Sequence, residues 1–139
     1  MIRGAFIDTS SWISYFLSNQ PKHSVIKKLI KQLKKDRVTL YTSNDIIDET
    51  VTRLVYHTNP QIVIKFIDFI TEGVKANFLV QLWIDEEIQI EAFELVQKFA
   101  EHKLSLTDAT TIVLFKKFNL DSVISLDSDF VKVGISTLP

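Results

Sequence analysis

The chain has 139 residues, of which 46% are hydrophobic and 24% are charged, and a formal net charge of −1, which predicts one globular domain over residues 1–139 and excludes a disordered chain. The absence of cysteine excludes disulfides and thiolate metal sites, so a metal would need oxygen or imidazole ligands. Because no signal peptide and no apolar run of about 18 residues is found, we expect a cytoplasmic protein without a membrane partner.

The first predicted strand, residues 2–7, ends directly before the polar run Asp8 to Ser11. Such residues favour strand ends and helix N-caps, and residues 12–17 then supply an apolar helix. A cap worth about 1 kcal/mol would by itself explain Asp8. A functional role stays open because Asp127 has the same placement after another predicted strand.

The next helix is amphipathic and strongly basic. Five lysines recur at helical spacing opposite an apolar stripe: Lys27, Lys28, Lys31, Lys34 and Lys35. They form either a solvated helix face or a stripe that follows the phosphates of RNA. Since a net charge of −1 gives no overall attraction for nucleic acid, RNA binding would depend on a local patch, with Lys27, Lys31 and Lys34 as candidate contacts.

Three acids follow the second predicted strand, residues 38–42. Ser43 or Asn44 caps the next helix, whose N-terminal half contains Asp45, Asp48 and Glu49. Favourable interaction with the helix dipole explains Asp45. Glu49 lies too far along the helix to gain much from the dipole, and its long side chain can reach back over the end of a sheet. Glu49 is therefore a candidate for chemistry.

Two helices flank the third predicted strand. An apolar helix around residues 62–70 ends near Gly73, and its excess of apolar side chains suits a partner-binding face. The strand, residues 78–84, is nearly all apolar, as expected of a strand covered on both faces. Asp85 then caps the following helix.

The stretch from residue 104 to residue 130 contains two acids in unusual positions. Ser105 and Asp108 have the spacing of a capping box and predict a helix that begins near Leu106. Asp108 shares a face of this helix with apolar side chains, which is a costly position for a charge. After Asn119 ends the helix, a β-branched run over residues 122–126 leads to the second acid, Asp127. Residues 133–138 are predicted as an edge strand.

The alternation of strands and helices predicts an α/β fold, a three-layer α/β/α sandwich with a mostly parallel five-stranded sheet and about six helices. The carboxyl ends of parallel strands form one crevice, where these acids should meet: Asp8, Glu49, Asp108, Asp127 and Asp129. No cationic side chain is expected from the same strand ends, so the acids would repel one another unless a divalent cation binds. Ligands that are all oxygen select Mg²⁺ or Mn²⁺.

Four short motifs contain the acids: FIDTSSW around Asp8, IIDET around Glu49, SLTDA around Asp108 and SLDSDF around Asp127. In this order they resemble the PIN-domain family, especially the small single-domain members typified by VapC toxins. The resemblance implies a Mg²⁺- or Mn²⁺-dependent endoribonuclease in which these four acids are catalytic. They would form the metal site in which Asp8, Asp108 and Asp127 bind the ion, with Asp129 as an additional acid. The resemblance also implies a homodimer and a cognate antitoxin protein as a partner.

Hydroxyl groups beside the acids are candidate substrate contacts. Thr9, Ser10 and Thr107 can donate hydrogen bonds to a phosphate or a metal-bound water, although capping suits each of them too. Two rival functions stay open. A phosphoaspartyl phosphatase would use Asp8 as its nucleophile but usually has a second aspartate where this chain has Ser10. A non-catalytic metal- or RNA-binding module would dock partners on residues 62–70.

Charge reversal separates the two interpretations of the basic helix. Changing Lys27, Lys31 and Lys34 to Glu is predicted to weaken RNA binding and its salt dependence, because lysine–phosphate contacts release counterions. Binding of a single-stranded RNA over a range of salt concentrations measures this, and circular dichroism checks that the fold is intact. An unchanged salt slope would assign these lysines to a solvated face.

Overall fold

A computed structural model describes residues 2–139. Its strands are β1 (Gly4–Ile7), β2 (Thr39–Ser43), β3 (Leu79–Leu82), β4 (Ser122–Ile124) and β5 (Thr137–Leu138). Its α-helices are α1 (Thr9–Phe16), α2 (His23–Lys35), α3 (Asn44–His57), α4 (Pro60–Lys75), α5 (Glu86–Lys98), α6 (Leu106–Lys117) and the short α7 (Asp129–Lys132), with a 3₁₀ turn at Ala100–His102. None of the helices in residues 2–139 combines the length and the unbroken apolar stretch needed to cross a membrane.

All five strands are parallel, in the order β3-β2-β1-β4-β5. With right-handed crossovers, this order places α1 to α4 on one face of the sheet and α5 to α7 on the other. The helix contacts agree, since α1, α3 and α4 pack in succession and α6 packs against α5 and α7. The predicted three-layer α/β/α sandwich is confirmed. The chain leaves β1 and β4 on opposite sides, so the topological switch point lies between the carboxyl ends of these two strands.

An aromatic cluster joins α1 to α4. Trp12 is fully buried, and its ring meets those of Phe66 and Phe69 edge-on at centroid distances of 5.6 and 5.8 Å. The indole Nε1–H donates a hydrogen bond to Thr42 Oγ1 at 3.2 Å, so the one polar atom of the ring is satisfied inside the core. Burial of so large a side chain holds the start of α1 against β2.

Four strands are shorter than the sequence predicts, and of these β1 begins at Gly4 rather than at residue 2. β3 is an edge strand in which Leu79 and Leu82, which point to opposite faces of the sheet, are both buried, so it is covered on both faces as predicted; Trp83 just beyond it is 66% exposed. The segment predicted as a strand over residues 133–138 pairs only at β5, because Gly134, with a φ of 83°, turns the chain after α7. β4 ends at Ile124, and the following residues enter a loop.

The start of α3 and the end of α4 show which local signals decide a helix boundary. Ser43 caps α3 by accepting the Ile46 N–H at 3.2 Å, whereas Asn44 Oδ1 accepts the Ile84 N–H at 2.7 Å and ties α3 to the residues after β3. α4 ends at Lys75, close to the predicted end near Gly73, but the glycine does not terminate the helix. Gly73 lies inside α4, where a Cβ atom would come within 3.0 Å of the Phe78 ring. The glycine serves close packing rather than helix termination.

Gly73→Ala tests this packing constraint. Alanine normally stabilises a helix interior relative to glycine, but here the added methyl group would press on Phe78 and on the Leu79 Cβ at 3.1 Å. We expect a loss of about 1–3 kcal/mol in the free energy of unfolding, measured by urea denaturation. Thr71→Ala, on an exposed residue of the same helix, should be neutral or slightly stabilising. A stabilised Gly73→Ala variant would contradict the packing argument.

Candidate active site

An acidic pocket of about 250 Å³ opens at the switch point. It is lined by the predicted acids together with hydroxyl groups and one arginine: Asp8, Thr9, Ser10, Glu49, Arg53, Ser105, Asp108, Asp127 and Asp129. The residues come from the end of β1 and the start of α1, from α3, from the start of α6, and from the segment between β4 and α7. The structure therefore brings together all five acids that the sequence singled out.

Asp8 is held at the junction of the two central strands. Its N–H donates to the Ile124 carbonyl at 3.0 Å, and its own carbonyl accepts the N–H groups of Ser11 and Trp12, which begins α1. The side chain does not cap the helix. Its Oδ2 instead accepts a hydrogen bond from Ser125 Oγ at 2.9 Å, and the residue is only 5% exposed. Capping therefore does not account for the Asp8 carboxylate.

Ser125 is a site residue that the sequence analysis missed. Besides donating to Asp8, its hydroxyl accepts the Asp127 N–H at 3.0 Å, so it fixes two of the acids relative to each other. The Ser10 hydroxyl helps by accepting the Leu126 N–H at 3.0 Å. The available signal was the first serine of SLDSDF, which directly follows β4, but the β-branched run made it resemble part of the strand.

Three carboxylates lie close enough to share a cation. Asp108, Asp127 and Asp129 each offer one oxygen, and these oxygens all lie within 4.8 Å of one another. Ligands about 2.0–2.1 Å from one Mg²⁺ are separated by up to about 4.2 Å, so small side-chain rotations would bring the three oxygens onto a single ion. Asp8 and Glu49 line the same pocket outside this closest group. The donor set is all oxygen and fits Mg²⁺ or Mn²⁺.

Local hydrogen bonds orient this group of three. The Asp108 N–H donates to Ser105 Oγ at 3.0 Å, which confirms Ser105 as the cap of α6 and puts the Asp108 side chain in the first turn. The Asp129 N–H donates to Asp127 Oδ1 at 3.0 Å, which bends the chain between the two acids as α7 begins. The carboxylates therefore converge because of caps and turns that the sequence encodes locally.

Two cationic side chains lie beside the acids, although the sequence analysis considered only cations from the strand ends. Arg53 Nη2 lies 3.4 Å from Glu49 Oε1 through an i,i+4 spacing on α3, and Lys132 Nζ lies 3.5 Å from Asp129 Oδ1 through an i,i+3 spacing on α7. Both cations come from helices rather than from strand ends. Within residues 2–139, no ion pair neutralises the three remaining acids, Asp8, Asp108 and Asp127.

Burial makes two of these acids weak. Burial raises the pKa of Asp8 to about 6, an effect that the Ser125 hydrogen bond opposes and the charges of Glu49 and Asp127 reinforce. Burial raises the pKa of Asp108 to about 7, and the neighbouring charges of Asp8 and Asp127 add to the shift. Without a cation, protonated carboxyl groups therefore persist to a higher pH than usual, up to about 6 for Asp8 and about 7 for Asp108.

The predicted substrate contacts fall in three places. Thr9 and Ser10 line the acidic pocket, and the buried Thr9 Oγ1 has no hydrogen-bond partner within residues 2–139. Thr107 lies in an adjoining depression of about 480 Å³, which shares Glu49 and Arg53 with the acidic pocket. This depression extends the site along α3.

The predicted lysine contacts lie elsewhere. Lys27, Lys31 and Lys34 line a separate depression of about 430 Å³ beside Tyr15, and none of them lines the acidic pocket. Lys27 Nζ lies 5.2 Å from the centroid of the Tyr15 ring, and Lys34 Nζ lies 4.1 Å from that of Phe78. The basic face of α2 would therefore meet RNA at a distance from the carboxylates.

Comparisons with known proteins point to one family. The model of the PIN domain matches residues 5–136. The 23S rRNA-specific endonuclease VapC20 of Mycobacterium tuberculosis is 23% identical over 130 residues, which is 93% of each chain. The crystal structure of VapC20, described as a Sarcin-Ricin loop cleaving toxin, matches with a TM-score of 0.79 and 20% identity, covering 94% of this chain and 95% of that one. FitAcB from Neisseria gonorrhoeae matches with a TM-score of 0.68 and 15% identity, covering 97% and 96%.

Asp108→Asn tests the acidic pocket without a substrate. The amide keeps the size of the side chain and removes one charge from a repulsive group, so we expect the metal-free protein to gain about 1 kcal/mol at neutral pH, a value that allows for partial solvent screening. Mn²⁺ should stabilise the wild type with the logarithm of its concentration above Kd and should stabilise the variant much less. Thermal melting of both proteins with and without Mn²⁺ measures these effects.

The pH dependence of the same melts provides the control. A carboxyl group whose pKa is raised on folding binds more protons in the folded state, so its stabilising contribution is present below about pH 4 and is lost as the pH rises through about 6 to 7. The gain from Asp108→Asn should therefore appear only toward neutral pH. A variant that melts below the wild type at pH 8 and gains as much from Mn²⁺ would make Asp108 a helix-start residue only.

Proposed function

The chain belongs to the PIN-domain family, and on this premise we propose that it is a divalent-metal-dependent endoribonuclease that hydrolyses RNA phosphodiester bonds. The acidic pocket at the switch point is the observation that carries the proposal, because five carboxylates from four segments of the chain meet where α/β folds bind their ligands. The similarity to VapC20 supports RNA as the substrate and a toxin as the biological role.

We assign the cation to Asp108, Asp127 and Asp129, with Asp8 completing the metal site from the end of β1. Bound there, Mg²⁺ or Mn²⁺ would lower the pKa of a water molecule and neutralise charge on the attacked phosphate. The oxygens bind a cation only when ionised, so binding should strengthen as the pH rises through the raised pKa values of Asp8 and Asp108.

The chain's own groups hold this arrangement in place. Ser125 orients the Asp8 carboxylate, and the turn after Asp127 aims that side chain at Asp108. Asp8, Glu49, Asp108 and Asp127 are the proposed catalytic acids. The pocket lining contains neither histidine nor cysteine within residues 2–139, so the chemistry needs no nucleophile from those side chains and suits attack by water.

Substrate contacts and partners complete the proposal. Thr9 offers a buried hydroxyl without a partner at the pocket wall, and Thr107 lies one depression away. Ser10 lines the acidic pocket with Thr9, although its hydroxyl already accepts the Leu126 N–H. Lys27, Lys31 and Lys34 remain predicted contacts to more distant RNA phosphates. We also propose a homodimer and a cognate antitoxin protein, as the likeness to VapC toxins implies.

One observation favours a second function, a non-catalytic interaction module. α4 exposes Ile64 and Ile67, by 57% and 45%, and with Trp83 the latter lines an apolar groove of about 310 Å³. This agrees with the predicted docking face over residues 62–70. The phosphatase alternative is disfavoured, because Asp8 is buried, hydrogen-bonded to Ser125 and followed at the second position by Ser10.

A cleavage assay tests the nuclease. The protein is incubated with end-labelled RNA that contains a single-stranded loop, in Mg²⁺, in Mn²⁺ or in chelator. We expect cleavage only with metal, and a loss of at least about 100-fold in Asp8→Asn and Asp127→Asn, on the scale of removing one electrostatic group from an active site. Asp68→Asn removes the same charge from an exposed position on α4 and should leave cleavage unchanged. Cleavage that survives in chelator, or in Asp8→Asn, would count against the proposal.

A further inference from the structure

Arg53 lies between the acidic pocket and the depression next to it. We propose that its guanidinium binds a phosphate of the RNA strand beside the bond that is cut, and so positions the strand across α3. The proposal rests on the nuclease function proposed above and extends it to a substrate-binding residue outside the metal site.

The placement of Arg53 is the first argument. Within residues 2–139 it is the one cationic side chain that lines the acidic pocket, and it also lines the adjoining depression with Asp45, Thr52 and Thr107. An RNA strand that passes from the acidic pocket to the adjoining depression would cross the Arg53 side chain. The lysines of α2 line a different depression and supply no positive charge at the pocket itself.

The charge around the pocket is the second argument. Five carboxylates repel an approaching polyanion, and a single bound divalent ion offsets only part of their charge. A cationic side chain at the rim of the pocket, such as Arg53, would offset part of this repulsion. The planar guanidinium offers two parallel N–H donors to a phosphate, a geometry that a lysine ammonium does not reproduce.

The pairing of Arg53 with Glu49 is the third argument. The two side chains are 3.4 Å apart, and the Arg53 side chain is 55% exposed. Exposed ion pairs of this kind contribute little to stability, so an incoming phosphate can replace Glu49 as the partner of Arg53 at little cost. Glu49 would then be released toward the metal site, which makes substrate binding and completion of the site coincide.

RNA binding without cleavage tests the proposal directly. Fluorescence anisotropy with a single-stranded RNA in chelator, over a range of salt concentrations, should show that Arg53→Gln weakens binding about tenfold and lowers the salt slope by about 0.7, the value for one phosphate contact in a single strand. Arg53→Lys should keep the slope but lose part of the affinity and of the cleavage rate. Lys65→Gln removes one charge from an exposed position of α4 outside the pocket and should change neither quantity.

A double-mutant cycle with Glu49→Gln separates contact from positioning. If Arg53 contacts RNA, Arg53→Gln should weaken binding in the Glu49→Gln background as well. An effect that vanishes in that background would make Arg53 a positioning residue for Glu49 and would overturn the proposal. So would a variant with normal RNA binding and an altered sedimentation coefficient, because Arg53 would then contact a second copy of the chain. A wild type that neither binds nor cleaves RNA would instead refute the nuclease function itself.

Discussion

The site depends on a single constraint, which is the burial of Asp8 where β1 meets β4. The peptide N–H of Asp8 extends the pairing of the two strands, its carbonyl begins α1, and its carboxylate accepts a hydrogen bond from the hydroxyl of Ser125, which directly follows β4. The chain leaves β1 on one side of the sheet and β4 on the other, and a crevice opens between the carboxyl ends of the two strands. The backbone of Asp8 thus joins the two central strands, while its side chain lines the acidic pocket.

Grouping acids in this crevice opposes folding, because burial and mutual repulsion both disfavour the charged forms. The chain limits this effect by pairing two of the five acids, Glu49 and Asp129, with Arg53 and Lys132. The other three acids have no ion-pair partner within residues 2–139, and a bound cation would offset the repulsion among them. The carboxylates that would bind the cation are therefore the same ones that lower the stability of the metal-free protein, as is common at functional sites.

Charge is separated along the molecule as well as within the pocket. Residues 22–37 contain seven Lys and Arg but one acid, Asp36, although the whole chain has a net charge of −1. The α2 lysines line a depression separate from the acidic pocket, so in the proposed function their charge would attract RNA without neutralising the carboxylates. The α2 lysines would then attract the RNA, and the acidic pocket would cleave it. Arg53 would be the cation that contacts RNA at the pocket itself.

Local sequence determined most of the elements and the identity of the acids. Caps such as Ser105, the left-handed Asn119 and the strand-end position of Asp8 depend on neighbours within a few residues, and the PIN-like motifs are equally local. The tertiary structure alone decided which oxygens meet, that Ser125 bonds to Asp8 across 117 residues, and that Arg53 faces the acids. It also decided that β3 is an edge and that Gly73 is a packing residue. Apart from the contact of Gly73 with Phe78, these outcomes depend on contacts between segments distant in sequence, which helical and strand periodicity cannot encode.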